Sequence, residues 1–507
     1  LNTVRLEGKL EDEPFLDYAD RKGILLMAGW CCCDHWERWK EWTPEDLEIA
    51  AASLRDQLLR LRMHPSVFTW MNGSDGPPPA RVEKRYLQVA REARWPNPVQ
   101  SSATAKIAEL SGPSGVKMMG PYDWVPPRYW YEDTKRGGAY GFNTETGPGP
   151  AIPPIESMRL MLPADKLWPL NEQWNYHAGG GQFSKLDIYN TALENRYGKA
   201  NTLEDYTHKG QLMAYEGIRA MFEGFTRNKY TSTGVIQWML NNAWPSVIWH
   251  LYDFYLRPGG GYFGAKVAHQ PYHPIYAPND GTIAVANSTY AEKKNLKLVV
   301  KVLNLDMSEA FSREVTLNLP ADGVERLFTL PAAASLPGIS PTYFVDLRLY
   351  DEKGVKVGGN FYWESTKADA LDYTKSTWYH TPHTAYADFT ALAELPKVTL
   401  EQKISTRRQG DRGVTTVTLK NPSKSLAFFV RLKLNKGKAG DEVLPVMWSD
   451  NYVSLLPGET RALTASYRQR DLGGQSPVIE LVGSNLAPGD KGISAASKPG
   501  TNAASDP

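Results

Sequence analysis

The 507-residue sequence predicts a multidomain chain: a (β/α)8-type TIM barrel followed by two antiparallel β-sandwich domains of immunoglobulin-like type. In the first half, apolar runs alternate with helix-like segments, as parallel strands with crossover helices require. After about residue 265, short alternating runs separated by turns are typical of sandwiches. We expect domains at 1–265, 266–385 and 386–485, and a disordered Ala/Ser/Gly/Pro-rich tail at 486–507.

The first half contains seven candidate strands, each an apolar or β-branched run that ends in polar, Gly or Pro residues. They are TVRLEG, ILLMAGW, VFTWMNGS, PVQSSAT, KMMGPYD, AYGFNTET and VIQWMLNNAW. The clearest helix is PEDLEIAAASLRDQLLRLRMHP, with acidic residues in its first turn, apolar residues three or four positions apart, and a closing Pro. Since a closed barrel needs eight strands, we expect the first strand to precede Leu1 and the chain to lack upstream sequence.

The second half contains two sets of short strand-like runs separated by turns such as PND and DEKG. The first set is TIAVAN, KLVVKVLN, REVTLNL and TYFVDLRLYD. The second set is KVTLEQKIS, GVTTVTLKN, AFFVRLKLN, NYVSLLPGET, RALTASY and PVIELVG. Residues 364–395 are expected to connect the two sandwiches.

Composition narrows the possible partners. The formal net charge is +1, so neither nucleic acid nor a membrane is expected as a partner, and no apolar run approaches the roughly 20 residues of a membrane span. The 16 tryptophans, most of them before residue 250, are consistent with either a large core or a sugar site.

The three cysteines, Cys31 to Cys33, fit neither a disulfide framework nor a CxxC zinc pattern. In an extended segment their side chains alternate in direction, so we expect buried packing residues and no metal.

Two carboxylates stand where strands of a (β/α) barrel open onto the catalytic face. Asp75 lies in FTWMNGSDGPPP and Glu145 in AYGFNTETGPGP, each between an apolar run and a Gly/Pro turn. A glycosidase needs such a pair, because one carboxyl group donates a proton to the leaving oxygen while the other attacks the sugar or activates water. The sequence therefore predicts a glycosidase site.

The order VRLEGK, AGWCCCD, HPSV, GSD, GPYDWVPPRYW, GFNTET and WMLNNAWPS, followed by KADALD, LPVMWSDN and LLPGET, resembles glycoside hydrolase family 2, and within it the exo-β-D-glucosaminidase (exo-chitosanase) subgroup. The resemblance implies a retaining enzyme that needs no cofactor, with Asp75 as general acid/base and Glu145 as nucleophile. Most of the family has Asn-Glu where this chain has Ser74-Asp75, a replacement shared with the glucosaminidase subgroup. The resemblance also implies a chitosan oligosaccharide substrate and a secreted or periplasmic location.

Five residues at or after strand ends are expected to contact the substrate: Glu7, Ser74, Tyr122, Trp238 and Asn241. Glu7 is the candidate partner of the substrate's 2-ammonium group; the alternative is a solvated carboxylate or a salt bridge with Arg5. Tyr122 is expected to orient the nucleophile. Trp238 and Asn241 are expected to stack on and hydrogen-bond the sugar, unless they are a core tryptophan and a strand-end asparagine. The alternative functions are another family 2 exo-glycosidase, such as a β-mannosidase, and a non-catalytic carbohydrate-binding fragment.

Overall fold

The computed structural model describes residues 1–7, 9–487, 493–494 and 496–497. Its N-terminal part is a β/α region with strands β1 (Thr3–Leu6), β2 (Leu25–Gly29), β3 (Val67–Met71), β4 (Val99–Gln100), β5 (Gly141–Thr146) and β6 (Ser232–Gln237). Its helices are α1 (Glu13–Lys22), α2 (Pro44–Leu61), α3 (Ala80–Glu92), α4 (Tyr129–Glu132), α5 (Ile155–Met161), α6 (Glu172–Tyr176), α7 (Asp187–Tyr197), α8 (Leu203–Arg227) and α9 (Gly260–Ala268).

The strands of this region run parallel, as the alternating sequence pattern predicts. One sheet has the order β1-β2-β3-β4, and a second consists of β5 and β6. A parallel bridge between Lys117 and Asn143 attaches the KMMGPYD segment to β5. All seven predicted runs thus contribute backbone pairing, but in the described residues no strand pairing joins β6 to β1. Closure into an eight-stranded barrel therefore stays a prediction.

Helix α2 shows how the local sequence builds this region. Thr43 caps its N-terminus in a reciprocal capping box with Asp46, and Pro occupies its first turn. Leu54, Leu58 and Leu61 lie on one face and are fully buried, and each contributes about 1.5–3 kcal/mol relative to an exposed side chain. The buried face holds α2 against the parallel sheet and so fixes the ends of β2 and β3 next to each other.

The first sandwich packs a four-stranded sheet of order β10-β9-β12-β13 on a three-stranded sheet of order β11-β8-β7. Its strands are β7 (Tyr272–Tyr276), β8 (Thr282–Asn287), β9 (Lys293–Asn304), β10 (Glu309–Leu319), β11 (Val324–Thr329), β12 (Thr342–Tyr350) and β13 (Lys356–Ser365). A small antiparallel pair, β14 (Ala370–Leu371) and β15 (His383–Ala385), lies in the predicted connector.

The second sandwich has sheets of order β19-β21-β17-β16-β24 and β20-β18-β22-β23. Its strands are β16 (Glu401–Gln409), β17 (Arg412–Lys420), β18 (Ala427–Lys436), β19 (Met447–Trp448), β20 (Val453–Leu455), β21 (Thr460–Arg468), β22 (Pro477–Val482), β23 (Ile493–Ser494) and β24 (Ala496–Ser497). Short 3-10 helices occupy Ala164–Lys166, Ala333–Ser335, Tyr373–Lys375, Thr390–Glu394 and Gln469–Leu472.

Part of the segment predicted to be a disordered tail is therefore paired. Strand β23 pairs with β22, and β24 pairs with β16. The rest of that prediction, residues 488–492, 495 and 498–507, lies outside the described residues. None of the described helices combines the length and the hydrophobicity that a membrane span requires.

Buried polar contacts join the β/α region to the first sandwich and the connector. Arg196 of α7 binds Glu216 of α8 at 2.7 Å and also binds Asp369 of the connector, and all three side chains are buried. Glu223 of α8 binds His273 of β7 at 2.8 Å. Because leaving either partner of such a pair alone costs about 3–5 kcal/mol, these contacts fix where the connector meets the parallel strands.

Candidate active site

A cavity of about 570 Å³ lies where the parallel strands end. Polar and aromatic side chains that follow these strands line it, among them Asp75 after β3, Glu145 near the end of β5 and Trp238 after β6. The carboxyl ends of parallel strands form the face on which a (β/α) architecture places its catalytic groups. The two predicted catalytic carboxylates therefore share one cavity, although they are 70 positions apart in the chain.

The environment of both carboxyl groups favours their protonated forms. Burial, and to a lesser degree the nearby charge of Glu7, raises the pKa of Asp75. Burial raises the pKa of Glu145 to about 8, with Glu7 acting in the same direction and Arg5 opposing it. The site thus combines a carboxyl group that retains a proton with a second carboxyl group whose ionisation depends on a neighbouring cation.

Arg5, at the end of β1, connects the acidic groups of the site. Its Nη1 donates to Glu145 Oε2 at 2.6 Å, and its Nη2 donates to Ser74 Oγ at 2.7 Å and lies 3.3 Å from Glu7 Oε1. The Arg5 side chain is 4% exposed, so these charge-assisted bonds form away from bulk water. Sequence reasoning considered Arg5 only as a partner of Glu7, and its position in the VRLEGK motif was the available signal.

Glu37, which sequence reasoning missed, holds the loop that carries Asp75. Its carboxylate accepts the backbone N–H of Ser74 at 2.6 Å and that of Asp75 at 3.0 Å. Lys106 Nζ donates to the backbone carbonyl of Asp75 at 2.6 Å. Burial raises the pKa of Glu37 to about 7. No sequence pattern marks Glu37, because its contact depends on the fold of the segment after β2.

Glu7 makes the salt bridge with Arg5 that was the structural alternative for it, and its Oε1 also accepts the Ser74 hydroxyl at 2.6 Å. Its second oxygen, Oε2, is buried and has no hydrogen-bond partner in the described residues. A smaller cavity of about 380 Å³ between β1 and β6 is lined by Glu7, Glu145, Trp238 and Asn241. Glu7 thus reaches the site from the side of this smaller cavity.

The structure separates the remaining predicted contacts. Tyr122 lines the main cavity, and its hydroxyl, next to Glu145, favours the ionised carboxylate. Trp238 is half-buried and lines both cavities, so it is not a core tryptophan. Asn241 is exposed and lines only the smaller of these two cavities. Tyr122 and Trp238 are therefore placed at the site, whereas the expected contact of Asn241 with the sugar stays a prediction.

The connector forms one wall of the main cavity through residues 376–378 and 380–381. Trp378 is 59% exposed, and its ring meets Tyr122 edge-on at 5.6 Å and Phe183 at 5.9 Å. The backbone N–H groups of Tyr122 and Asp123 both donate to the Tyr379 carbonyl at 2.9 Å. Sequence reasoning treated this segment only as a linker, although its aromatic and histidine content in STWYHTPH was a usable signal.

The expectation that the cysteines are buried packing residues is wrong. Cys32 and Cys33 form a disulfide bond with each other, and Cys33 is exposed rather than buried. Cys31 is a half-buried free thiol whose Sγ donates to Asp34 Oδ2 at 3.2 Å. The extended geometry assumed from the sequence is absent, because Cys33 has a φ of +71° and the chain turns immediately after β2. As a result Cys32 and Cys33 both face the main cavity.

Comparisons with known proteins show which proteins the chain is similar to. Residues 378–486 match the family described as "Exo-beta-D-glucosaminidase Ig-fold domain". The chain is 43% identical to the exo-beta-D-glucosaminidase of Streptomyces avermitilis, over 96% of this chain and 56% of that protein. It is 41% identical to the exo-beta-D-glucosaminidase of Amycolatopsis orientalis, over 96% of this chain and 49% of that protein. The chain thus spans about half the length of these relatives.

Solved structures give the same result. The crystal structure of Amycolatopsis orientalis exo-chitosanase CsxA superposes with a TM-score of 0.93 at 39% identity, covering 98% of this chain and 60% of that one. A β-D-mannosidase from Dictyoglomus thermophilum, at 17% identity and a TM-score of 0.70, shares the fold over 96% of this chain and 56% of that one. Over nearly all of its length the chain is thus similar to exo-β-D-glucosaminidases, and residues 378–486 belong to the family of their Ig-fold domain.

Proposed function

We propose that the protein of which this chain is part is a retaining exo-β-D-glucosaminidase that releases glucosamine from the non-reducing end of chitosan and chito-oligosaccharides. The main support is that Asp75 and Glu145 line one cavity. The wall of that cavity includes the segment at the start of the domain that matches the glucosaminidase Ig-fold family. The relatives with 41–43% identity are named as exo-β-D-glucosaminidases, which supports the same substrate class.

The two carboxyl groups divide the chemistry between them. Asp75, whose pKa burial raises, donates its proton to the glycosidic oxygen while Glu145 attacks the anomeric carbon. The ionised Asp75 then removes a proton from water, which hydrolyses the glycosyl-enzyme and restores both groups. Arg5, at 2.6 Å from Glu145, stabilises the carboxylate form that attacks. Glu37 and Lys106 hold the backbone at Asp75, which keeps the acid aimed at the leaving oxygen.

The acidic groups around Arg5 favour a cationic sugar. Glu7, Asp75 and Glu145 lie around the guanidinium of Arg5, while the other cations are Lys106, which acts on Asp75, and Arg136, which lines the main cavity. The buried, unpartnered Glu7 Oε2 is a free acceptor for the 2-ammonium group of glucosamine. Burial is the main cause of the raised pKa of Glu145, and a cation bound at Glu7 would offset the smaller contribution from the charge of Glu7. Binding of the correct substrate therefore promotes ionisation of the nucleophile.

The architecture and the location are parts of the same proposal. The sheet order β1-β2-β3-β4, the Lys117–Asn143 bridge and the β5-β6 pair are the successive neighbours that a (β/α) barrel has. The Cys32–Cys33 disulfide fits an oxidising compartment, which supports a secreted or periplasmic protein acting on an extracellular polymer.

The test compares p-nitrophenyl β-D-glucosaminide with p-nitrophenyl β-D-glucoside and β-D-mannoside, using the wild type and Glu7→Gln. We expect the wild type to prefer the glucosaminide. Glu7→Gln removes a charge-assisted contact worth about 1.5–3 kcal/mol. We therefore expect the variant's kcat/KM for the glucosaminide to fall about ten- to hundredfold, and its kcat/KM for neutral sugars to fall much less. Glu48→Gln, on the exposed surface of α2, is the matched control.

Each result decides one part of the proposal. NMR of the first product formed should show the β-anomer; an initial α-anomer means inversion and excludes a glycosyl-enzyme. An equal loss on charged and neutral sugars makes Glu7 structural. A preference for the mannoside points to a β-mannosidase, and sugar binding without turnover of any substrate points to a non-catalytic carbohydrate-binding fragment.

A further inference from the structure

The disulfide between Cys32 and Cys33 lies beside the general acid. Both cysteines line the main cavity together with Asp75, and Cys33 Sγ lies 4.0 Å from Asp75 Oδ2. The two sulfur atoms and a carboxylate oxygen of Asp75 all lie within 4.8 Å of one another. Because Cys33 is exposed, a small reductant can reach the bond from the cavity. None of the glycosidase steps described above uses either sulfur.

We propose that reduction of the Cys32–Cys33 disulfide creates a binding site for a soft divalent cation, such as Cd²⁺ or Zn²⁺, and that the bound cation blocks catalysis by ligating Asp75. The metal site itself depends only on the geometry of these three side chains. The inhibition rests on the proposed function, in which Asp75 is the acid that must donate its proton.

The chemistry requires one external reductant, a phosphine or a small thiol. Two electrons from the reductant break the S–S bond. With a phosphine, one water molecule supplies the oxygen of the phosphine oxide and the two hydrogens of the new thiols, whereas with a small thiol two reductant molecules supply the two hydrogens and become one disulfide. The cation then displaces the two thiol protons to solvent and binds both thiolates, the soft ligands that Cd²⁺ and Zn²⁺ prefer. Asp75 supplies a third ligand and water the fourth, which completes a tetrahedral set.

The turn after β2 makes adjacent cysteines suitable for one ion. In an extended strand, successive side chains point to opposite faces and could not share a ligand. The left-handed conformation of Cys33, with a φ of +71°, places its sulfur on the same side as that of Cys32. Cys31 is the natural comparison, because its thiol donates to Asp34 and it does not line the main cavity with Cys32 and Cys33.

The test reduces the full protein with a phosphine, removes the reductant and titrates Cd²⁺ while following the ultraviolet thiolate-to-cadmium charge-transfer band. We expect one Cd²⁺ per reduced chain, and a band absent from the unreduced protein. Cys31→Ser retains the band, whereas the double variant Cys32→Ser/Cys33→Ser loses it. In parallel, we expect Cd²⁺ to lower the rate of glucosaminide hydrolysis by the reduced wild type at least tenfold. The rate of each variant with Cd²⁺ is compared with the rate of the same variant without Cd²⁺.

The outcomes separate the two parts of the proposal. A band of equal strength in the double variant, or none in the reduced wild type, overturns the metal site. A strong band with unchanged hydrolysis overturns the inhibition, because the ion then does not engage Asp75. If the protein hydrolyses nothing, the proposed function fails, but the charge-transfer titration still decides the site. Asp75→Asn should keep the two-sulfur band but bind Cd²⁺ more weakly.

Discussion

Replacing Arg5 by methionine tests how strongly Arg5 favours the ionised form of the nucleophile Glu145. Arg5 donates to Glu145 at 2.6 Å and lies 3.3 Å from Glu7, and its side chain is 4% exposed. Methionine fills a similar apolar volume but removes the charge. The two carboxyl groups then remain buried without a cation, which favours protonation of Glu145. We therefore expect Arg5→Met to fold but to lose most of its activity.

The magnitude follows from the contact. Unit charges about 4 Å apart interact by about 4 kcal/mol at an effective dielectric constant of 20, and removing one member of a buried pair costs about 3–5 kcal/mol. At about 1.36 kcal/mol for each pKa unit, the pKa of Glu145 rises by about three units. Burial already raises that pKa in the free protein. The variant's kcat/KM should thus be about 1,000-fold lower at pH values below the wild-type pKa of Glu145, and the deficit should shrink above it.

The assay is a pH–rate profile of glucosaminide hydrolysis, with circular dichroism to verify folding. Arg85→Met, which breaks a partly exposed ion pair with Glu48, is the matched control and should retain wild-type kinetics. Arg5→Lys keeps the charge but loses the forked geometry, so a loss of about ten- to thirtyfold is expected. If folded Arg5→Met remains within threefold of the wild type at pH 6, Arg5 does not control the ionisation of Glu145. If Arg5→Met does not fold, the profile of Arg5→Lys decides the question.

Three further predictions concern the acid, its loop and the connector. Asp75→Asn should lower kcat/KM by about 10²–10⁴ and abolish the alkaline limb of the pH profile, since Asp75 must be protonated to act; a persistent limb assigns the acid to another residue. The pKa of Glu37 is about 7 in the folded protein, against 4.5 for an ordinary glutamate. Glu37 therefore lowers the free energy of unfolding as pH rises from about 4.5 to 7. Glu37→Gln should flatten that part of a plot of melting temperature against pH, and an unchanged slope refutes this. Trp378→Ala should raise KM for chito-oligosaccharides about three- to tenfold with little change in kcat; equal kinetics would remove Trp378 from the substrate wall.

Much of the secondary structure was accessible from the sequence, because its signals are local. Strand β8 occupies the same residues, Thr282–Asn287, as the TIAVAN run. Helix α2 begins at Pro44 behind a capping box and buries leucines three or four positions apart, as the periodicity predicts. These patterns depend on neighbours within one turn of helix or one pleat of strand. The KMMGPYD run was less regular, and it forms only a single bridge at Lys117.

The candidate site was accessible only in part. The GSD and GFNTET motifs mark Asp75 and Glu145, and the structure brings both to one cavity. The turn at Cys33 was not predicted, because an extended continuation of β2 fits the same residue types. Cys33 has a positive φ although it is not a glycine, because the surrounding loop imposes that conformation. The error about the cysteines followed from that single assumption.

By itself, the sequence determined the kinds of element, their order and the two carboxylates that resemble a glycosidase pair. Only the tertiary structure decided which groups surround that pair. Arg5 meets Glu145 across 140 positions and Ser74 across 69, and Trp378 reaches the cavity from beyond the first sandwich. Such contacts arise because parallel strands end on one face and buried ion pairs hold the connector against it, and neither effect leaves a periodic pattern in the chain.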